Sequence, residues 1–293
     1  MTAQTAAAAS KDPLAIICGA GSLPFAIADA AQKAGRRVVL FPIRGAAASE
    51  RVASYPHHWV GFGQFGRFRR IARAEGCRDV VMIGSLVRPH LSLRYIWPDL
   101  TTLLLLPRFL KLYRGGDDRL LSGVAKILEE QGFRLIGADQ VAPDVLMPKG
   151  PLGTRSPGDA ERADIRHGLA LLRVTAPFDM GQAVAVWNNR ILSLEAADGT
   201  DAMLAHLAEM RRVGRIRMPD GVGVLIKAPK GGQDRRVDLP SIGPPTIEGV
   251  ARAGLAGIAV TAGSVLVAEP LRVIAEADKA NIFVVGIDAD GNL

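Results

Sequence analysis

Residues 13–35 of this 293-residue chain read PLAIICGAGSLPFAIADAAQKAG, and this stretch decides the fold class. The apolar run at 13–18 has the length and composition of a buried strand, and residues 23–34 are typical of a helix. The glycine turn between them places backbone N–H groups at a helix N-terminus, where a phosphate group binds favourably. We therefore identify Gly21 and Ser22 as candidate ligand-binding residues.

The same turn lacks two features of a nicotinamide-dinucleotide site. GAGSLP departs from the GxGxxG fingerprint because Pro24 occupies the third glycine position. The second predicted strand, at 37–43, is followed by Arg44, whereas a ribose-binding site has a carboxylate there. A nicotinamide oxidoreductase is therefore a competing class of function that these residues disfavour.

Strands and helices alternate through the rest of the first half. Further strands are predicted at 37–43, 79–83 and 133–136, with helices at 65–75 and 119–130. Repeated strand, glycine and helix units predict a parallel sheet whose ligand-binding edge lies at the carboxyl ends of the strands. We expect a Rossmann-like domain over residues 11–145. Asp117, just before the last helix, is a candidate helix cap or a ligand for a metal or a sugar hydroxyl.

The second half is built differently. Prolines and glycines crowd residues 141–157, which predicts a linker or a wrapping loop. We place the boundary there, so that a mixed α/β domain occupies residues 146–293 and the whole chain is α/β with two domains. Within it, strands at 182–187 and 190–195 are predicted to form a hairpin that turns at Asn188 and Asn189.

The most unusual stretch of the second half is GVGVLIKAPKGGQDRRVDLPSIG, at 221–243. A short apolar strand is followed by a loop crowded with polar residues: Lys227, Lys230, Gln233, Asp234, Arg235, Arg236 and Asp238. The cations suit an anionic ligand such as a diphosphate, and the carboxylates suit Mg²⁺ or an oriented water. The alternative is a solvated loop whose charges pair with each other.

Three residues after the hairpin strand could complete a polar site. Glu195, Asp198 and Asp201 are carboxylates that could join Asp238 in one site. The alternative is that Thr200 or Asp198 simply caps the helix that follows.

Composition restricts the class of protein. The net charge of +7 and the pI near 9.8 favour anionic partners, but the basic residues are scattered without interleaved aromatics, which argues against nucleic acid. Cys18 and Cys77 lie in or beside apolar runs, so neither a disulfide framework nor a zinc site is expected. Residues 1–10 lack the pattern of an export signal, which favours the cytoplasm.

The segment LTTLLLLPRFLKLY, at 100–113, is too short and too interrupted to span a membrane. One interpretation is a pair of core-packing helical turns around Pro107. The other is an apolar surface for acyl chains, or an interfacial segment whose bases meet lipid headgroups.

Several motifs, taken together and in this order, resemble the I-type UDP-2,3-diacylglucosamine pyrophosphatases of lipid A biosynthesis. They are GAGSLP (19–24), GSLVRP (84–89), RGGDD (114–118), MPKGPLG (147–153), EAADGTDAML (195–204), KAPKGGQDRRVDLPSIG (227–243) and VVGID (284–288). The resemblance extends over residues 14–288, and its most specific part is EAADGTDAML combined with RVDLPSIG.

The resemblance implies a cytoplasmic, Mg²⁺-dependent hydrolase that splits UDP-2,3-diacylglucosamine into UMP and 2,3-diacylglucosamine 1-phosphate. It also implies two α/β domains with the ligand in a cleft between them. The family's catalytic aspartate, in the motif RVDLP, falls on Asp238. Asp238 is also the predicted Mg²⁺ ligand, and Asp201 is a second candidate for the metal shell.

The remaining site residues follow from the resemblance and from their chemistry. The predicted substrate contacts are Gly21, Ser22, Asp117, Glu195, Thr200, Asp201, Lys227, Lys230, Gln233 and Arg236. Transient contact with the inner leaflet of the inner membrane is also expected, and a homodimer is left open. A non-catalytic protein that binds a nucleotide sugar or a lipid is the alternative, and such a protein would keep its ligand without Asp238.

Overall fold

The computed structural model describes residues 12–47, 49–86, 98–113, 117–178, 180–230 and 234–293, apart from the side chains of residues 49, 117 and 118. The chain forms two compact units. The first comprises residues up to Pro143 together with Asp234–Asp238, and the second comprises Asp144–Gln233 and Leu239–Leu293.

The apolar runs of the first half form one sheet, as predicted. Its strands are β1 (Leu14–Cys18), β2 (Val38–Pro42), β3 (Asp79–Ile83) and β4 (Arg134–Leu135). They lie in the order β2-β1-β3-β4, and every pair is parallel. Most of their side chains are buried, as expected of a parallel sheet that helices cover.

The helices of the first unit follow the predicted alternation. They are α1 (Leu23–Lys33), α2 (Ser49–Val52), α3 (Phe65–Ala74), α4 (Leu100–Tyr113), α5 (Asp117–Glu130) and α6 (Ala138–Val141). Phe68 packs α3 against the core of this unit. Its ring contacts Phe41 of β2 edge to face, with ring centroids 4.8 Å apart, and it contacts Phe133 at 5.5 Å.

Helix α4 differs from the core-packing prediction, which is wrong. Residues 100–113 form one continuous helix with Pro107 inside it, and its buried residue is Thr102. Most of its leucines are exposed instead. Proline has no N–H group, so Pro107 leaves the backbone carbonyl of Leu103 without its helical donor. Both residues are exposed, so water can bind that carbonyl instead. Within the described residues, no helix is long and apolar enough to cross a membrane.

The second unit contains a mixed sheet. Its strands are β5 (Gly150–Pro151), β6 (Ala183–Trp187), β7 (Arg190–Leu194), β8 (Val224–Lys227), β10 (Gly257–Thr261) and β12 (Phe283–Ile287), in the order β5-β12-β10-β8-β6-β7. Strands β8, β10 and β12 are parallel, whereas β6 is antiparallel to both β7 and β8. Consequently β7, β8, β10 and β12 all end at the same edge of the sheet.

Helices and a small strand pair complete this unit. The helices are α7 (Asp159–Thr175), α8 (Gly199–Arg212), α9 (Pro244–Arg252) and α10 (Pro270–Lys279), and β9 (Ser241–Ile242) pairs with β11 (Leu266–Val267). Two apolar clusters, one containing Leu204 and the other containing Ile165, pack the helices against the sheet.

The predicted hairpin is confirmed. Asn188 and Asn189 have φ values of 52° and 58°, the left-handed conformations that a two-residue turn of type I′ requires. Their backbone N–H groups donate to the buried carboxylate of Asp164 on α7 at 3.0 and 2.7 Å, so this turn is fixed to the helix.

The proline-rich segment around 141–157 wraps onto the second unit. Met147 is fully buried, and its backbone N–H donates to the carbonyl of Val265 at 2.9 Å. β5 then pairs with β12 at Gly286, where a Cβ atom would lie 1.8 Å from the Pro148 carbonyl oxygen. Glycine at this position therefore permits the close approach of the wrapping segment.

Candidate active site

The carboxyl ends of β1 and β3 are joined by two glycine turns. The backbone of Ala20 exchanges hydrogen bonds with that of Ser85 at 2.8 and 3.0 Å. A Cβ atom at Gly19 would lie 2.5 Å from the Ser85 carbonyl oxygen, so the approach requires glycine. Because β1 is followed by β2 on one side and flanked by β3 on the other, this is the point at which strand order reverses, a common ligand site in parallel sheets.

Gly21 and Ser22 follow directly in this turn. Gly21 has a φ of 97°, a conformation that glycine adopts without strain. Ser22 is the N-cap of α1, and its side chain makes no capping hydrogen bond. The predicted turn at a helix N-terminus is therefore present, and it has the polarity that attracts an anion.

The segment Asp234–Asp238 belongs to the first unit, although the flanking chain belongs to the second. Val237 packs against the apolar core of the first unit. A Cβ atom at Gly137, just after β4, would lie 3.6 Å from the Cα of Arg236. The segment therefore lies near the carboxyl end of β4, at the edge of the first sheet where ligands are expected.

Arg236 holds this segment in place through two carboxylates. Its guanidinium donates to Asp234 from Nη2 at 2.7 Å and to Glu129 of α5 from Nη1 at 2.5 Å. The hydrogen bond from Arg236 lowers the pKa of Asp234 and outweighs the opposing effect of burial. The same carboxylates raise the pKa of Arg236. Part of the predicted loop is therefore internally paired, and phosphate binding by Arg236 stays a prediction.

Asp238 is half-buried at the end of this turn. Its backbone N–H donates to the carbonyl of Asp234 at 3.1 Å, which closes the turn. The side chain is thus carried by a backbone that both Val237 and Arg236 anchor. This arrangement suits a carboxylate that must keep a fixed position.

The carboxyl edge of the second sheet holds a different group of side chains. Lys227, the last residue of β8, donates from Nζ to the hydroxyl of Thr200 at 2.8 Å. Thr200, in the first turn of α8, donates in turn to Oε1 of Glu195 at 3.0 Å. Three predicted residues from separate elements are therefore joined in one hydrogen-bonded chain.

Glu195 is buried and immobilised. Its Oε2 accepts a hydrogen bond from the backbone N–H of Gln182 at 2.9 Å. A Cβ atom at Gly181 would lie 2.3 Å from Cγ of Glu195, so glycine makes room for the carboxylate. The carboxylate is thus satisfied by one backbone donor and one hydroxyl, as a buried polar group requires.

The remaining predicted residues are less tightly placed. Asp201 is exposed in the first turn of α8, where its negative charge interacts favourably with the helix dipole. Lys230 is half-buried in the loop after β8. Asp117 begins α5, but its side chain is outside the described part, and Gln233 lies entirely outside the described residues.

The carboxylates of these sites could hold Mg²⁺ only if water and substrate supplied most of its ligands. The described residues contain no group of three or more histidine, cysteine, aspartate or glutamate side chains placed to hold a metal ion. Mg²⁺ commonly binds one or two carboxylates and takes its other ligands from water and substrate phosphates. Asp238 fits this mode as a protein ligand, because Val237 and Arg236 anchor the turn that carries it.

Two features of these sites are absent from the sequence predictions. Glu129 acts as a second partner of Arg236, and the backbone of Gln182 secures Glu195. Neither contact has a sequence signature, since Glu129 is 107 residues from its partner and the N–H group of Gln182 is common to all residues except proline.

Comparison with known proteins identifies the family. The family models of the LpxI N-terminal domain and the LpxI C-terminal domain match residues 13–145 and 148–285. A curated relative, the UDP-2,3-diacylglucosamine pyrophosphatase LpxI of Caulobacter vibrioides, is 41% identical over 275 residues, which is 94% of this chain and 97% of that protein. These matches confirm the resemblance inferred from the motifs. The chain therefore belongs to the LpxI family.

Proposed function

We propose that this protein hydrolyses the diphosphate of UDP-2,3-diacylglucosamine with the help of Mg²⁺. Water adds to one phosphorus, the bond from that phosphorus to the bridging oxygen breaks, and the products are UMP and 2,3-diacylglucosamine 1-phosphate. The observation that carries the proposal is the extent of the similarity, since a pyrophosphatase with this substrate in its name matches nearly the whole chain. The aspartate of the RVDLP motif, Asp238, lies within the matched C-terminal domain.

Asp238 is the proposed catalytic residue. Hydrolysis of a phosphoanhydride requires a positioned water and stabilisation of the charge that develops on the leaving phosphate. An aspartate on an anchored turn can orient a water molecule or bind a metal ion without first reorganising its backbone. The anchoring of its turn by Val237 and Arg236 supports this assignment.

Mg²⁺ bound at the site would neutralise phosphate oxygens and lower the pKa of a bound water. Asp238 is the proposed protein ligand, and Asp201 is a second proposed ligand. The helix N-terminus at Gly21 and Ser22 offers backbone donors of the polarity that an anionic substrate requires.

The chain of Lys227, Thr200 and Glu195 is proposed to bind the polar part of the substrate. Thr200 positions the ammonium group of Lys227, and the buried Glu195 fixes the orientation of the Thr200 hydroxyl. A pre-positioned lysine is a compact charge for binding a phosphate oxygen. Lys230 and Gln233 are further proposed contacts, supported by their motif.

The test is direct. Purified protein is incubated with UDP-2,3-diacylglucosamine and Mg²⁺, and UMP and the acylated sugar phosphate are measured by chromatography. UMP release that EDTA abolishes and added Mg²⁺ restores is the expected result. Release that is insensitive to EDTA would exclude the metal. Binding of the intact substrate without UMP release would instead favour the non-catalytic binding protein.

A further inference from the structure

Helix α4 carries an unusual number of exposed leucines. Its exposed large apolar side chains are Leu100, Leu103, Leu104, Leu106 and Leu110, and the first and third of these have 74% and 76% of their surface exposed. Single exposed leucines are common on soluble proteins, whereas several on one short helix form a contiguous apolar surface. Such a surface indicates a binding partner.

These leucines form a face of the helix. Leu100, Leu103, Leu104 and Leu110, together with the exposed Pro107, recur at intervals of three and four residues, so they lie along one side of a helix about 21 Å long. Thr102 on the other side is buried, and Phe109 contacts the ring of Phe65. The outward face is therefore apolar, which reverses the polarity expected of a helix on the surface of a soluble protein.

The inward side of α4 is firmly attached to the first unit. The hydroxyl and backbone N–H of Thr102 both donate to Oδ1 of Asp99 at 2.9 Å, and the Thr102 hydroxyl also accepts from the backbone of Phe65 at 3.1 Å. Arg108 forms two hydrogen bonds with Glu130 of α5. The exposed leucines are therefore presented by an anchored helix.

Exposed basic residues lie on α4 and on the helix that packs against it. Lys111 is exposed on α4, and Arg67 and Arg70 are exposed on α3, a helix that packs against α4 and contains no acidic residue. The whole chain carries a net charge of +7. An apolar face with basic neighbours is the pattern of a helix that lies in the interface of an anionic bilayer.

We propose that α4 is a membrane-docking helix, and that its partner is the surface of a bilayer containing anionic phospholipids. This inference rests on the proposed function, because a diacylated substrate is supplied from a lipid surface. The leucines would enter the boundary between headgroups and acyl chains, and the basic side chains would contact lipid phosphates. Docking would bring the enzyme to its substrate without a membrane-spanning segment.

The test compares two variants with matched chemistry. Leu100→Glu combined with Leu104→Glu places two charges on the docking face. Val174→Glu combined with Phe178→Glu places two charges on side chains of the second unit that are 70% and 74% exposed. Each protein is sedimented with vesicles of phosphatidylethanolamine and phosphatidylglycerol, or of phosphatidylcholine alone, without substrate.

We expect the unchanged protein and the Val174/Phe178 variant to bind the anionic vesicles, and the Leu100/Leu104 variant to lose about tenfold or more in partitioning. High salt should weaken the binding of the unchanged protein. Absence of vesicle binding by the unchanged protein, or equal binding by all three proteins, would overturn the proposal.

Activity separates this proposal from the proposed function. UMP release from detergent-dispersed substrate should be the same for all three proteins, whereas release from vesicle-embedded substrate should fall in the Leu100/Leu104 variant. A loss with the dispersed substrate as well would show that the face binds acyl chains. A dimer that only this variant dissociates would show that a second copy covers the face. Vesicle binding without any UMP release would contradict the proposed function alone.

Discussion

The two units bury charge at opposite ends of their sheets. In the first, Asp79 begins β3 and accepts hydrogen bonds from Arg134 at 2.6 and 2.8 Å and from Arg36, all at the amino ends of the strands. In the second, the buried Glu195 follows β7 and is joined through Thr200 to Lys227 at the carboxyl ends.

The two clusters differ in where they lie on their sheets and in which groups join them. Both oxygens of Asp79 are bound by arginine, so the cluster is satisfied by the protein and joins β3, β4 and the chain just before β2. In the other cluster Lys227 donates to the hydroxyl of Thr200, which donates to Glu195, and the cluster lies at the carboxyl edge of its sheet, a common place for a ligand. We therefore expect substitutions in the first cluster to affect stability, and those at the carboxyl edges to affect catalysis.

The largest effect is expected at Asp238, on the anchored turn of the first unit. Asp238→Asn should reduce kcat for UMP release at least about a hundredfold, or by roughly 2.7 kcal/mol or more, because it removes a charged ligand or base. Thermal unfolding of both proteins is measured as well, so that a loss of chemistry can be told from a loss of the fold. Asp290→Asn, at an exposed position, is the control. Near-normal turnover by the Asp238 variant would remove the central assignment.

The second expected effect concerns stability. Asp79→Asn should lower the free energy of unfolding by about 2 kcal/mol, because it weakens hydrogen bonds to two arginines, one of which is half-exposed. Denaturant unfolding measures the change, and Glu50→Gln, at an exposed acid of the same unit, is the control. An equal loss in both variants would contradict a structural role for Asp79.

The same cluster predicts sensitivity to acid. Burial alone would raise the pKa of Asp79, but hydrogen bonds from Arg134 and Arg36 outweigh it and the pKa is lowered. A lowered pKa in the folded state stabilises the fold above the ordinary aspartate value of about 3.9, and this stabilisation is lost as the pH falls below that value. Asp79→Asn should therefore flatten the decline of stability in acid.

The third expected effect tests positioning at the second sheet. Thr200→Val removes the hydroxyl between Lys227 and Glu195 while keeping the shape of the side chain. We expect kcat/KM to fall about tenfold, mainly through a higher KM, since one hydrogen bond to a charged group is lost. Thr200→Ser should restore most of the activity. Equal losses in the valine and serine variants would show that the hydroxyl is not what matters.

The smallest expected effect concerns the backbone-built turn of the first sheet. Gly21→Ala meets no atom within 4 Å but must adopt a φ of 97°, so we expect a loss of about 1 kcal/mol in unfolding free energy. Gly19→Ala, which would clash with a backbone carbonyl, is the comparison and should cost more. A smaller loss at Gly19 than at Gly21 would contradict the close joining of the two turns.

Much of the fold could be predicted from local patterns. Strands β1, β2 and β3 are short apolar runs followed by glycine, and Asn188 and Asn189 specify their turn through a conformation that few other residues adopt. The family motifs likewise identified residues that the second unit brings together, because Glu195 and Thr200 are close in sequence and flank a strand end.

What could not be predicted depends on contacts that are distant in sequence. The apolar letters of α4 predict burial, yet only tertiary packing determines which side of a helix faces the core. The pairing of Arg236 with Glu129 likewise depends on which part of the first unit the segment Asp234–Asp238 contacts. Composition alone gave equal support to a ligand clamp and to internal pairing.

The return of Asp234–Asp238 to the first unit has a consequence for how this gene can be divided. A single cut near residue 143 would leave the proposed catalytic aspartate on the fragment whose fold does not support it, with Val237 stripped of its apolar surroundings. A recombination that replaces the first unit with that of another protein would therefore also have to replace Asp234–Asp238. Exchange of the two units as separate pieces of sequence is therefore disfavoured, because the chain of the second unit passes through the first.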